Sequence, residues 1–272
     1  MRLLVASAKD GAVTTSALAL AAAWPTDRQV VVVEADVAGG DIAVRFGLPL
    51  EPGLVSLAAA ARRTLSADAV MAHSQRLPGG LPVVVAPASA DQCQAALRAL
   101  SDWLGELAPA EDGVDVIIDG GRLGAMSSSL ARWASVTAVV ARPSAEEVAR
   151  LHAVLPCTRD IAGEVGLVLV GDRPYGPAEV AAALEVPVYG VLAVDGVGAS
   201  VLAGRSARSR ALTRSPLLES ARALAAVLTS LGGPRLRSET SASSRRGSRD
   251  GDDPDAAVPP RAAQNDDAEV LR

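Results

Sequence analysis

Lysine is nearly absent from this chain: of 26 basic residues, every one except Lys9 is arginine. Aromatic residues make up only 2% of the 272, too few for a base-stacking platform that would hold single strands. A core must then be built from Ala, Val and Leu, which suits helices laid on a parallel sheet. Two cysteines, Cys93 and Cys157, make neither a disulfide framework nor a CxxC pair, and only His73 and His152 could join them around a metal. A reducing, cytoplasmic setting is the expectation. No apolar run approaches the roughly 18 residues of a membrane span. The apolar opening, Leu3-Leu4-Val5-Ala6, is shorter than a signal-peptide core and reads as a buried first strand. The net charge of −5 gives no whole-chain attraction to nucleic acid.

What is present divides in two. Beyond Leu231 the composition turns to Ser, Arg, Asp, Pro and Gly, with Arg235, Arg237, Arg245, Arg246 and Arg249 preceding Asp250, Asp252, Asp253 and Asp255. Residues 232–272 cannot offset their ordering entropy and read as a disordered tail, either simply solvated or a tethered interaction arm. Residues 1–231 form the expected folded domain. Apolar, β-branched runs predict strands at 3–7, 30–33, 83–86, 114–118, 136–141, 165–170 and 188–192. Ala/Leu-rich stretches predict helices at 15–24, 54–63, 90–108, 145–155, 177–184 and 216–231. The alternation implies an α/β fold: a mostly parallel twisted sheet of about seven strands with helices on both faces. Ligands in such folds collect at the carboxyl ends of the strands.

Three of those ends carry polar residues. After the first strand comes Lys9-Asp10-Gly11-Ala12-Val13-Thr14-Thr15-Ser16. Small residues at a helix start let backbone N–H groups face a phosphate, although Thr14-Thr15-Ser16 also suits a plain helix cap. The second strand runs into Glu34, Asp36 and Asp41, and a later one into Asp119-Gly120-Gly121. An apolar strand ending in Asp is an arrangement that holds Mg²⁺ through water beside a phosphate. Either acidic end alone equally suits a helix cap; the three in this order favour a nucleotide-phosphate site.

On these segments the chain resembles the ParA/MinD family of deviant Walker P-loop ATPases, whose loop reads K-G-G-x-G-K-T-T. The resemblance implies ATP and Mg²⁺ as cofactors, with Lys9, Gly11, Ala12, Val13, Thr14, Thr15 and Ser16 forming the phosphate loop. It implies Thr15, Asp36 and Asp119 around the metal, Asp36 orienting the attacking water, and Lys9 reaching a phosphate across a nucleotide-biased homodimer. It also covers Arg142-Pro143-Ser144 as a switch segment and residues 186–192 as the strand before the base-side loop. The implied roles are positioning or partitioning of a chromosome, a plasmid or polar machinery with a protein partner. Non-specific DNA contact through Arg205, Arg208, Arg210 and Arg214 is implied as well, beside the plain reading of a solvated basic face. The segment after Gly233 has no apolar face, so no membrane insertion is expected from it.

The departures open a second reading. Thr14 stands where the family has its phosphate-clamping lysine, Asp10 where it has Gly, Gly171 where it has an adenine-contacting Asn, and Ala193 where it has Pro. A pseudo-ATPase scaffold that keeps the fold and the dimer surface is the alternative. A dinucleotide-binding dehydrogenase is a third reading; Glu34 suits its ribose contact, but no GxGxxG follows the first strand.

Overall fold

The β-branched runs pair into one eight-stranded sheet, of order β3-β4-β2-β5-β1-β6-β7-β8, in a computed structural model that describes residues 1–9, 12–61, 66–104, 113–206 and 209–232. These belong to one compact unit, Met1–Pro234. Asp10, Gly11, Arg208 and the expected tail, except Gly232, lie outside the described residues. The chain begins β1 (Arg2–Ser7), α1 (Val13–Ala22), β2 (Gln29–Glu34), α2 (Ile42–Phe46), α3 (Leu54–Ala61) and α4 (Ala67–Ala72). It continues β3 (Gln75–Arg76), β4 (Pro82–Val84), α5 (Ala90–Leu104), β5 (Val114–Arg122), α6 (Ala125–Trp133) and β6 (Val136–Ala141). Last come α7 (Ala145–Ile161), β7 (Glu164–Val170), α8 (Pro177–Leu184), β8 (Val188–Leu192), α9 (Gly196–Leu202), a 3-10 turn (Ser209–Arg214) and α10 (Pro216–Leu231).

Every pairing is parallel except β3 with β4. The period-2 alternation of the strands sorts side chains between two faces. Leu3 and Val5 enter the layer built by α1, α9 and α10, whereas Leu4 and Ala6 enter the one built by α3, α5 and α6. Beyond β6, α7 and α8 cover Val139, Ala141, Leu167 and Leu169. The scarcity of rings is met as expected: the fully buried large side chains are Leu and Ile.

At the amino end of the sheet, buried Asp115 accepts from Trp24 Nε1 at 2.8 Å and from Arg28 Nη2 at 2.6 Å. Burial alone pushes this carboxyl up, but bonds from Arg28, the Met1 nitrogen and Trp24 hold it below the usual carboxylate range. That cluster fastens the α1–β2 connection to β5.

Several elements differ from expectation in extent. The sheet gains the two-residue β3, and helix α7 passes through exposed Pro156 to Ile161 rather than ending at Leu155. Pro156 removes one backbone donor, which one turn can tolerate when both its sides are packed; Leu155 and Thr158 are buried there. Helix α1 starts at Val13, two residues before the expected start, and α2, α4, α6 and α9 are additional.

Candidate functional site

Strand order places the three polar strand ends side by side. β5 lies between β1 and β2, with Glu34 and Val5 both in register with Asp119. At their carboxyl ends opens a cavity of about 600 Å³, with Lys9, Thr14, Glu34, Asp36, Arg45 and Arg122 on its wall.

Behind this wall, next to Gly121, lies Asp119. The residue is 1% exposed; its Oδ1 accepts from Gly121 N at 3.4 Å, and its Oδ2 has no partner among the described residues. Burial pushes its carboxyl up to about 7, against a bond from the Thr14 hydroxyl, with the charges of Glu34 and Asp36 adding to the rise. A buried carboxylate with one bare oxygen is poised for a cation.

Glu34 is equally buried but fully engaged. Its Oε1 accepts from Asp41 N at 2.8 Å and Ile42 N at 3.0 Å, and its Oε2 accepts from Ala86 N at 2.8 Å. One carboxylate therefore joins the end of β2 to the start of α2 and the end of β4. Burial raises its pKa although the three amides oppose the rise.

Asp36 is half-buried, and its Oδ1 accepts from Ala38 N at 2.9 Å. Helix α5 steadies its loop: Cys93 Sγ donates to Asp36 O at 2.9 Å, and Gln94 Nε2 donates to Val37 O at 3.3 Å. Gly121, at φ +59°, lies against the Asp36 carboxylate so closely that a methyl group there would overlap it. Burial pushes the Cys93 thiol up to about 12, so it remains protonated.

Lys9 is exposed, and the Ser7 hydroxyl donates to its carbonyl. Ala12 caps α1 without a side-chain bond, so Thr14, Thr15 and Ser16 lie inside the helix rather than serving as its cap. Thr14 faces the cavity and Val13 contributes to its wall, whereas half-buried Thr15 and buried Ser16 are not on that wall. The structure thus brings Lys9, Thr14 and Asp36 to the cavity wall, keeps Asp119 buried behind it, and leaves Thr15 to one side.

Away from this site, Gly171 and Ala193 end the neighbouring strands β7 and β8, with Gly171 N donating to Leu192 O at 2.9 Å. Arg205 and Arg214 are exposed; Arg210 lies in the 3-10 turn, its side chain outside the described residues. Arg45, Arg122 and Gln94 were not anticipated on the cavity wall. An Asp41–Arg45 pair at i,i+4 was the available signal, on a helix too short to show a periodic face.

Whether the residues fit Mg²⁺ and a polyphosphate can be tested on this geometry. The bare Oδ2 of Asp119 suits a cation, while the first turn of α1, without a side-chain cap, suits an anion. Among the described residues no group of three or more His, Cys, Asp or Glu side chains could hold a metal. A metal here would take its remaining ligands from water and phosphate, the habit of Mg²⁺. The site fits both groups.

No family model matches the sequence, and no curated protein matches it. Solved structures do match in fold. A ParA family ATPase from Chlorobium tepidum superposes with TM-score 0.67 at 18% identity, over 83% of this chain and 97% of that one. The MinD septum site-determining protein of Pyrococcus horikoshii, complexed with Mg-ADP, gives 0.62 at 16% identity over 86% and 98%. The ATP complex of a Cyanothece McdA variant gives 0.59 at 16% identity over 86% and 97%. This chain has the ParA/MinD-type P-loop fold.

Proposed function

We propose that the chain binds ATP with Mg²⁺ in the cavity at the ends of β1, β2 and β5 and works as a cytoplasmic positioning or partitioning factor. In this reading the nucleotide state biases a homodimer that engages a protein partner. The observation that carries it is the unpartnered Oδ2 of Asp119, 1% exposed, beside the Thr14 hydroxyl. Two fold neighbours solved with Mg-ADP and with ATP support it.

Asp119 would hold Mg²⁺ through water, with the hydroxyl of Thr14 or Thr15 beside it. Mg²⁺, when bound, neutralises phosphate charge. Backbone amides from Gly11 to Thr15 would face the phosphates, whereas that of Ser16 already donates to Ala12 O at 2.8 Å. Asp36, its carboxylate held by Ala38 N and backed by Gly121, would orient a water. Lys9 would meet a phosphate of the other protomer and offset developing charge. Arg205, Arg208, Arg210 and Arg214 would add non-specific DNA contact, lost steeply as salt rises. Among the described residues no helix is long and apolar enough to cross a membrane.

Calorimetric titration with ATP, with and without Mg²⁺, tests this reading, with Asp119→Ala as control. The expected result is Mg²⁺-dependent binding that the variant loses. Absence of binding at millimolar Mg-ATP overturns it.

One observation favours the scaffold alternative: at the position of the family's lysine stands Thr14, a neutral side chain on the cavity wall. Steady-state hydrolysis by wild type and by Thr14→Lys/Asp10→Gly separates the two. Wild-type turnover that the double variant does not exceed removes the scaffold reading.

A further inference from the structure

The cavity wall carries a cation for which neither the sequence motifs nor the fold provides a task. Arg45, on α2, lines the same space as Lys9, Thr14 and Asp36. Its backbone is fixed at both sides. Glu34 accepts from Asp41 N and Ile42 N at the start of the helix, Arg45 N donates to Asp41 O at 2.9 Å, and Gly204 packs against the Arg45 carbonyl so closely that a methyl group there would overlap it. The guanidinium itself is held only lightly. Its ion-pair partner is Asp41, whose carboxylate is more than half exposed, lines the same cavity and makes no capping bond to α2. An exposed i,i+4 pair is weak, so a multiply charged anion entering the cavity can displace it. Arg122, the other guanidinium on the wall, has a further contact of its own.

We infer that Arg45 is a phosphate-binding residue of this cavity: its guanidinium exchanges the Asp41 carboxylate for the polyphosphate of the bound nucleotide. The inference rests on the nucleotide reading given above and names the residue that supplies positive charge from within the protomer. Thr14 contributes none, and Lys9 is exposed at the rim. A guanidinium presents two parallel N–H donors that match phosphate oxygens, and a backbone anchored at both sides keeps the ordering cost of that fork low. Asp41 serves as a placeholder, keeping Arg45 paired while the cavity is empty.

The test is a titration of the full chain with three probes, each with Mg²⁺: ATP, inorganic tripolyphosphate and adenosine. Arg45→Ala should weaken ATP and tripolyphosphate alike by roughly 10- to 100-fold, the loss expected for one charge-assisted contact, and leave adenosine unchanged. Arg45→Gln provides a second neutral variant should the alanine form fold poorly. Arg45→Ala/Thr14→Lys should recover part of the loss by returning a cation to the cavity wall. Asp41→Asn should tighten ATP by roughly 2- to 5-fold in the wild type and by less in an Arg45→Gln background, because loss of the Asp41 charge acts in both whereas release of Arg45 acts only in the first. If wild type binds ATP and the neutral Arg45 variants bind it equally well, the inference fails and the nucleotide reading stands. A loss seen in Arg122→Ala but not at Arg45 also overturns it. If wild type binds neither ATP nor tripolyphosphate, the nucleotide reading itself falls.

Discussion

Replacing Asp119 with Asn should make the ligand-free protein more stable at neutral pH, because the native carboxylate is held at a cost. Its pKa of about 7 stands against an ordinary 3.8. The folded state therefore binds this proton more tightly than the unfolded chain does. The resulting stability is fully present below pH 3.8 and is lost as pH rises through about 7. At 1.36 kcal/mol for each pH unit, a gap of about 3 units is worth on the order of 4 kcal/mol. About 3 kcal/mol of that falls between pH 5 and pH 8. Asn keeps an acceptor for Gly121 N and stays neutral throughout. In urea unfolding with chelator present, the wild type should lose about 3 kcal/mol across that window. Asp119→Asn should show only the shallower slope left by Glu34, whose raised pKa acts in the same direction. Its advantage should reach about 4 kcal/mol at pH 8 and shrink toward acid. Mg-ATP should then narrow the gap at pH 8 by stabilising the wild type alone, reversing the order once its concentration exceeds about 1,000 times Kd. A stability difference between the two proteins that stays constant from pH 5 to pH 8 would refute the assignment of the buried proton to Asp119.

Three further predictions address other parts of the structure. Gly121→Ala forces a side chain into a left-handed backbone and against Asp36, and should cost about 2–4 kcal/mol in urea unfolding and weaken ATP binding with it. Asp115→Ala leaves the buried Trp24 N–H and the buried Met1 ammonium without their acceptor and should destabilise by about 3–5 kcal/mol without changing ATP affinity, read by unfolding and titration of the same preparation. A thiol reagent at pH 8 should modify exposed Cys157 and spare Cys93 until urea is added; native-state labelling of both, read by mass, would contradict the burial of Cys93.

Strands were legible because their signal is local: runs such as Val30-Val31-Val32-Val33 have one good use in a sheet covered on both faces. Short elements were not. Helix α2 has five residues, too few for a 3.6-residue period, and α6 carries three consecutive serines where an apolar stripe would be sought. The expected helix at 145–155 ended before Pro156, yet the buried residues Leu155 and Thr158 on both sides carry α7 past it. In the site, Lys9, Asp36 and Asp119 were legible as polar residues closing apolar strands. The position of Thr14 depends on a helix start two residues earlier than expected, about 200° of helical rotation, which decides which hydroxyl faces Asp119. The approach of Gly121 to Asp36 follows from how β5 sits between β1 and β2, with a register shift between Val5 and Ser7, and no local pattern encodes it.

The solitary lysine makes the site addressable by simple chemistry. In a chain whose other 25 basic side chains are guanidinium groups, Lys9 carries the single side-chain amine, exposed on the rim of the cavity. An acylating reagent or a lysine-specific protease therefore acts at one side chain, with no background of surface lysines to subtract. The rate of that one event, followed by intact mass as ligands are added, is a built-in footprint of whatever enters the cavity.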